Sequence, residues 1–144
     1  WEEIRASDIS FGYCRSRIMA LYGSRHSDTT FPVYDAIADY AATHPAPTGS
    51  SGWFLPGSHE LATLCFGAPT SFTESGSTYY YKNLQMLNKI NPQIDKAVGD
   101  KLIGKYWSGY EWNEERGWHV DVTTPHYGVK PKTDTYKVRA VLAF

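Results

Sequence analysis

The chain lacks the sequence features that mark membrane-spanning and nucleic-acid-binding proteins. No apolar run in its 144 residues approaches the roughly 20 residues that a membrane-spanning helix needs. Basic residues form no long block, and the formal net charge is -1, so the sequence lacks the excess of positive charge that binds DNA or RNA. We therefore expect no membrane-spanning segment in this chain and no nucleic-acid partner.

Cysteine and the common catalytic motifs are also scarce. Cys14 and Cys65 are the two cysteines of the chain, and the sequence does not distinguish one disulfide from two free thiols. No Gly-x-Ser-x-Gly elbow is present. Ser58 and His59 are neighbours, but adjacent residues at a helix start point apart. We therefore expect no catalytic residue and no cofactor.

Three residues in the C-terminal half have the chemistry of zinc ligands. His119, Asp121 and His126 could converge at one end of a hairpin. Their spacing matches no established zinc site, and ordinary polar positions explain them more simply. The sequence therefore predicts no metal site.

Aromatic side chains, in contrast, are abundant. They make up 15% of the chain, while 42% of its residues are hydrophobic and 20% are charged, a composition typical of a globular protein. Residues 1–144 are predicted to form a single domain. The chain begins at Trp1 without a Met or a leader, so we expect it to be the C-terminal part of a longer protein.

Capping and turn signals predict helices in the first part of the chain. "DISFGYC" is predicted to form a strand, and "SRIMALYG" a short helix. Pro32 opens a second helix that stops before Pro45, and Ser58 is expected to cap a third. Glu60, in the first turn of that helix, is predicted to be structural because a carboxylate is favoured there.

The next segments change from helical to strand character. "YYYKNLQMLNKI" is predicted as a helix that buries Leu84, and Asn91 is expected to cap a new turn that opens with Pro92. After Gly99, "KYWSGYEW", "RGWHVDVTT" and "DTYKVRAVLAF" read as strands. Helices in the front half and a small antiparallel sheet in the back half give an α+β fold.

Alternation and helical phase together predict one contiguous core. In "RGWHVDVTT", apolar and polar residues alternate with the period of a half-buried strand, so the polar His119 and Asp121 are expected to point outward. The predicted core residues are Trp53, Leu55, Leu61, Leu64, Trp107, Trp118, Val120, Val138 and Leu142.

Three separated segments share the pattern of one family. "GWFLPGSHEL" resembles a Gly-Trp-x-Leu-Pro-x-x-x-Glu-Leu signature, and "YWSGYEWNEERGWHVDV" resembles Tyr-Trp-Ser-Ser-x-Glu followed by a Trp-centred strand. "YKVRAVLAF" resembles a terminal Val-Arg-Ala/Pro-Val strand. Together they resemble the C-terminal domain of bacterial collagen-like adhesins and related surface proteins of gut bacteria. Gly109 and Tyr110 depart from the usual Ser-Thr.

This resemblance implies a C-type-lectin-like fold and a ligand-binding or adhesive role. The same scaffold serves variable proteins of diversity-generating retroelements, whose contact residues lie in the C-terminal part, so sequence diversification is a further expectation. Formylglycine-generating enzymes share the general fold, but their reactive cysteines lie in the C-terminal half, whereas both cysteines here lie at or before Cys65. The resemblance therefore implies a protein that is not an enzyme, and an extracellular or cell-surface location.

The expected binding surface lies in the segment from residue 109 to 136. "WNEE" echoes one element of a lectin calcium site, but the second element is missing, so calcium-independent recognition is predicted. The partner is expected to be an unknown protein or glycan on another cell or surface. The alternatives are a formylglycine-generating-type relative and a purely structural pilus or fibre cap. The predicted ligand-binding residues are Tyr110, Trp112, Asn113, Glu114, Arg116, His119, Asp121, Thr123, His126 and Tyr127.

Overall fold

In the part of the chain that the structure describes, three helices come first, and a fourth lies between the second and third strands of the sheet. The computed structural model describes residues 12–26, 31–67, 72–75, 78–81 and 85–144. The helices in these ranges are α1 (Gly12–Arg25), α2 (Pro32–Thr43), α3 (Ser58–Phe66) and α4 (Gln85–Lys96). The strands are β1 (Phe72–Ser75), β2 (Thr78–Tyr81), β3 (Lys105–Glu111), β4 (Arg116–Asp121) and β5 (His126–Pro131).

The strands form a single five-stranded sheet. Their order is β1-β2-β5-β4-β3, and each neighbouring pair is antiparallel. In its centre Val120 lies opposite Tyr106 on one side and Tyr127 on the other. A register shift between Trp107 and Glu111 marks a bulge in β3. The predicted α+β fold is confirmed.

One face of the sheet packs on α3 and α4. Because side chains alternate along a strand, Trp118 and Val120 point to the same face. Tyr106 and Tyr127, which lie opposite Val120 on the two neighbouring strands, point to this face as well. The helices contribute buried apolar side chains, among them Leu61 and Cys65 of α3 and Leu87 of α4. The main core is therefore a helix-on-sheet layer, and α3 positions β3, β4 and β5 at once.

The predicted core is confirmed for most of its members but not as one cluster. Leu55, Leu61, Trp107, Trp118 and Val120 are buried, as expected. Trp107 lies on the opposite face of the sheet from Tyr106, which belongs to the main core cluster. The prediction of a single contiguous core is therefore wrong. The remaining four predicted core residues are only half-buried: Trp53, Leu64, Val138 and Leu142.

The C-terminal segment, residues 136–144, covers part of the second face. Trp107 donates its N–H to the Lys137 carbonyl over 2.8 Å, and the Lys137 N–H donates to Lys105 over 3.0 Å. Further on, Phe54 and Val141 exchange backbone hydrogen bonds of 2.9 and 3.0 Å. The segment was predicted to be a continuous strand, but it makes two isolated bridges, one to β3 and one to the front half.

Several local predictions before residue 100 are wrong. Residues 79–81 belong to β2 rather than to a helix, since they pair with β1 and β5. Asn91 and Pro92 lie inside α4 instead of starting a new turn. The Asn91 amide exchanges hydrogen bonds of 2.8 and 3.0 Å with the Leu102 backbone. The expected inward position of Leu84 lies outside the described residues.

The start of the chain also differs from the sequence prediction. Tyr13 and Cys14, expected in an extended segment, belong to α1, and residues 8–11 lie outside the described part of the chain. Gly57, not Ser58, occupies the N-cap position of α3. Both cysteines are free thiols, Cys14 exposed and Cys65 buried. In the described part of the chain, none of the helices is both long and apolar enough to cross a membrane.

Candidate functional site

The turn between β3 and β4 has a fixed conformation. The Asn113 side-chain oxygen accepts hydrogen bonds from the N–H groups of Glu115, at 3.0 Å, and Arg116, at 2.8 Å. The N–H groups of Trp112 and Asn113 both donate to the Arg116 carbonyl. Asparagine suits such a turn because its short side chain can replace backbone partners. Residues 112–116, the hairpin tip, therefore present their side chains from a preformed loop.

Trp112 is the large aromatic residue of this hairpin tip. Its side chain is 49% exposed, while its ring meets the buried Trp118 edge-on with the ring centroids 5.7 Å apart. Asn113, Glu114 and Arg116 are also exposed. The structure thus brings four of the predicted ligand-binding residues together, with the indole held by packing and still open to solvent.

Tyr110 lies just behind the hairpin tip and is half-buried. The Arg15 guanidinium, from α1, lies 4.3 Å from the centroid of the Tyr110 ring, a cation–π distance. Arg15 itself is only 5% exposed. The Tyr110 ring also packs against Trp118 at 6.1 Å. Tyr110 therefore supports the hairpin tip and is only partly available to a ligand.

The exposed positions predicted for His119 and Tyr127 are wrong. His119 is 1% exposed because its ring is covered by Tyr136 at 5.2 Å and His126 at 5.3 Å. Tyr127 is buried on the opposite face, where its hydroxyl lies 2.8 Å from Nε2 of His59. The alternation of β4 is as predicted, but the C-terminal segment covers the face that was expected to be solvated.

Asp121 is likewise buried rather than exposed. Its carboxylate accepts hydrogen bonds from the N–H groups of Thr123, at 2.8 Å, and Thr124, at 3.1 Å, and from the Thr124 hydroxyl at 3.0 Å. Burial raises the pKa of Asp121, but these hydrogen bonds favour the charged form and leave the pKa below its ordinary value. Asp121 thus holds the turn between β4 and β5.

The predicted site residues are therefore divided between two ends of β4. Thr123 is exposed and His126 half-buried beside the β4–β5 turn, at the end opposite the hairpin tip. At roughly 3.3 Å per residue, the two ends of this strand lie about 17 Å apart. Within the described residues no cluster of three or more His, Cys, Asp or Glu could hold a metal ion.

His119 is held in one neutral tautomer. Nδ1 lies 2.8 Å from the Gly128 carbonyl, which can only accept, so Nδ1 carries the proton. Among the described residues Nε2 finds no hydrogen-bond partner. Burial lowers the pKa of His119 to about 4, the Gly128 carbonyl opposes this, and His126, Lys105 and Lys130 lower it further.

This histidine should make stability depend on pH. The unfolded chain binds the proton with a pKa of about 6.5, well above the folded value, so acid favours unfolding. We expect the free energy of unfolding to be highest above about pH 6.5 and to fall as the pH is lowered toward about 4. Urea titrations of the wild type and His119→Gln at pH 7.5, 6 and 5 test this, with His26→Gln as control. An unchanged slope in His119→Gln would contradict the assignment.

A cleft of about 700 Å³ opens beside the hairpin tip, between α2 and β3. The Tyr34 hydroxyl donates to the Gly109 carbonyl over 2.9 Å and ties the two elements together. A Cβ at Gly109 would lie 3.1 Å from the Leu55 carbonyl oxygen, which explains glycine at this position. The cleft is lined by Phe31, Pro32, Val33, Tyr34, Ala36, Trp107, Ser108, Gly109, Tyr110, Glu111, Glu114, Gly117, Lys132, Asp134, Thr135, Tyr136 and Val138.

Charged groups line this cleft as well as aromatic rings. Lys132 forms a 2.8 Å ion pair with Glu111, and both side chains are about one-third exposed. Asp134 accepts a 2.8 Å hydrogen bond from the Tyr136 hydroxyl. Burial and the Asp134 carboxylate raise the pKa of Tyr136 to about 12. Of the predicted site residues, Tyr110 and Glu114 line the cleft, whereas its α2 wall was missed.

Comparisons with known proteins place the chain near fimbrial proteins. No protein-family model matches it. It is 28% identical over 139 residues, 92% of the chain, to a Bacteroides ovatus protein named as a fimbrium tip subunit, Fim1C. It also matches the crystal structure of a Bacteroides ovatus fimbrial protein, with 22% identity and a TM-score of 0.64 over 94% of the chain.

The match covers only part of these relatives. The chain spans 23% of the length of Fim1C and 25% of the chain in the crystal structure. The structural likeness shows a shared fold over nearly all of this chain. Because both relatives are fimbrial proteins, the predicted extracellular or cell-surface location is confirmed.

Proposed function

We propose that the chain is a non-catalytic recognition module of a fimbrial subunit and binds a protein or glycan through the hairpin tip and the adjoining cleft. The observation that carries this proposal is the half-exposed Trp112 ring on a turn fixed by Asn113. Tryptophan is one of the residue types enriched among binding hot spots, and a preformed turn lowers the entropy cost of binding. The name of the relative Fim1C supports a position at a fimbrial tip.

The buried nucleophile candidates support a binding role over an enzymatic one. Cys65 is fully buried, and burial raises the pKa of its thiol to about 12, far from the reactive thiolate that formylglycine-type chemistry needs. The Ser58 hydroxyl is also buried, and within the described residues it has no hydrogen-bond partner to activate it. Neither group offers a substrate an accessible nucleophile.

We further propose a C-type-lectin-like architecture for this domain, with diversified residues at its hairpin tip. In support of it, the C-terminal segment pairs both with Phe54 in the front half and with Tyr106 of β3, at the edge of a small antiparallel sheet. Asn113, Glu114 and Arg116 point into solvent, so changing them would leave the core intact. Near-copies of the gene that differ only between residues 109 and 136 would support diversification. Copies that differ evenly along the chain would count against it.

A structural tip cap without a ligand is the competing interpretation, because the name Fim1C describes a position in the fimbrium and no ligand. A binding assay distinguishes the two. A recognition module should bind an array of immobilised glycans and host-surface proteins, or cultured intestinal epithelial cells. A cap should bind neither. EDTA is expected to leave binding unchanged, because the sequence carries no complete calcium motif.

Alanine at Trp112 should weaken this binding without unfolding the domain. Loss of a central aromatic anchor costs about 1 to 2 kcal/mol or more in binding, roughly a tenfold or larger loss of affinity. The melting temperature should stay close to that of the wild type, since half of the side chain is already in water. Leu21→Ala is the matched control, because Leu21 is 55% exposed on α1. Equal binding by the wild type and Trp112→Ala would remove the hairpin tip from the site.

A further inference from the structure

We infer that the cleft between α2 and β3 binds an uncharged saccharide, a hexose or N-acetylhexosamine unit of a larger glycan. This inference rests on the recognition role proposed above and specifies its ligand. It is carried by the shape, the hydrogen-bonding groups and the charge of the cleft, together with the pairing of the β3 backbone.

The size and walls of the cleft suit a sugar ring. Its volume of about 700 Å³ falls within the range of roughly 300 to 1,000 Å³ that small-molecule sites occupy. The Trp107 and Tyr136 rings pack with their centroids 4.7 Å apart, and both line the cleft together with Pro32 and Val33 of α2. A pyranose ring has a flat C–H face that packs well against such rings, whose faces are electron-rich.

The polar groups of the cleft match hydroxyls, which both donate and accept. Lys132 offers only donors, while the carboxylates of Glu111 and Asp134 offer only acceptors. Glu111 and Lys132 form an ion pair at the cleft, and this pair offers a donor to one sugar hydroxyl and an acceptor to its neighbour. The Ser108 hydroxyl already donates its proton to the Trp118 carbonyl, so it lines the cleft without a proton to donate to a sugar.

The charge of the cleft disfavours acidic sugars. Its lining holds three carboxylates, Glu111, Glu114 and Asp134, and one ammonium, Lys132, so the formal charge of the lining is -2. This excess of negative charge repels an anionic ligand. Sialylated and sulfated glycans are therefore disfavoured, and neutral ones are accepted.

The backbone beside the cleft leaves no strand edge for a peptide. Binding of an extended peptide by strand addition needs free N–H and C=O groups on an edge strand. The Trp107 N–H and the Lys105 carbonyl are both bonded to Lys137. The Gly109 N–H donates to Pro56 over 2.8 Å, and its carbonyl accepts from Tyr34. This arrangement favours a small ring-shaped ligand over a peptide strand.

The test compares two lysines that lie two residues apart. Lys132 lines the cleft, whereas Lys130 is exposed on β5 outside it, so Lys132→Ala and Lys130→Ala lose the same charge at different places. The probes are glycan arrays with neutral, sialylated and sulfated members, followed by titration of the methyl glycoside of the best sugar. Tryptophan fluorescence reports binding because Trp107 lines the cleft.

We expect the wild type to bind neutral glycans. Lys132→Ala should bind them at least about tenfold more weakly, because it loses a hydrogen bond from a charged donor. Lys130→Ala should bind them with unchanged affinity. Glu114→Lys should extend binding to sialylated members of the array. Equal affinities for Lys132→Ala and the wild type would overturn the inference. Exclusive binding to acidic glycans or to a protein would also overturn it and leave the recognition role standing. A wild-type domain that binds no glycan, protein or cell would overturn both.

Discussion

Replacing Trp118 by alanine is expected to lower the free energy of unfolding by about 3 to 5 kcal/mol, the usual cost of deleting a buried aromatic side chain. Trp118 is buried at the centre of β4 and meets three other rings, those of Tyr110, Trp112 and Tyr127, with centroids 5.6 to 6.1 Å away. Its loss would leave a cavity between the sheet and α3. Chemical denaturation of the wild type and the variant measures the effect.

Trp112→Ala is the matched control, because it deletes the same side chain from the exposed end of the same ring cluster. It should cost about 1 kcal/mol or less, the value of a single edge-on ring contact. A loss below about 1 kcal/mol for Trp118→Ala would place that ring at the surface and contradict the strand register described for β4.

Glu60→Ala is expected to lower the free energy of unfolding by about 1.5 to 3 kcal/mol, the range for hydrogen bonds to a charged group. One carboxylate oxygen of Glu60 accepts from the Gly57 N–H at 2.7 Å and from the Gly12 N–H at 3.1 Å. The side chain therefore joins the start of α3 to the start of α1. Without it, both N–H groups lose their acceptor in a half-buried place.

Glu60→Gln separates a structural role from a functional one. Its amide oxygen can still accept both hydrogen bonds but carries no charge, so it should recover part of the stability lost in Glu60→Ala. Thermal melts of the three proteins, alongside the binding assay, measure both properties. If Glu60→Gln kept full stability but abolished binding, Glu60 would be part of the site rather than of the scaffold.

The sequence predicted the inward face of β4 correctly and the outward face wrongly. Trp118 and Val120 were placed in the core by their period of two, which depends only on the strand itself. The same period assigned His119 and Asp121 to solvent. Their burial depends on Tyr136 and the turn at Thr124, which are tertiary and loop contacts that no local period contains. A polar residue in an alternating strand can face a second, smaller core.

The candidate site was predictable where it is local. Trp112 and Asn113 belong to a short turn between two recognisable strands, so their exposure followed from the sequence. The cleft was not predictable, because Tyr34 and Gly109 are 75 residues apart and meet only through packing of α2 on the sheet. Gly109, where the pattern that this segment resembles usually has serine, was the one sequence signal of this close approach.

The pairing of residues 51–54 with residues 141–143 also sets the order in which the domain can form. Ser51 and Ala143 are separated by 92 residues in the chain. At a translation rate of about 5 to 20 residues per second, Ser51 is added to the chain roughly 5 to 18 s before Ala143. Contacts of such long sequence separation also slow folding, because a large loop must close first. The backbone of Phe54 therefore cannot pair with Val141 until the whole intervening stretch has been synthesised.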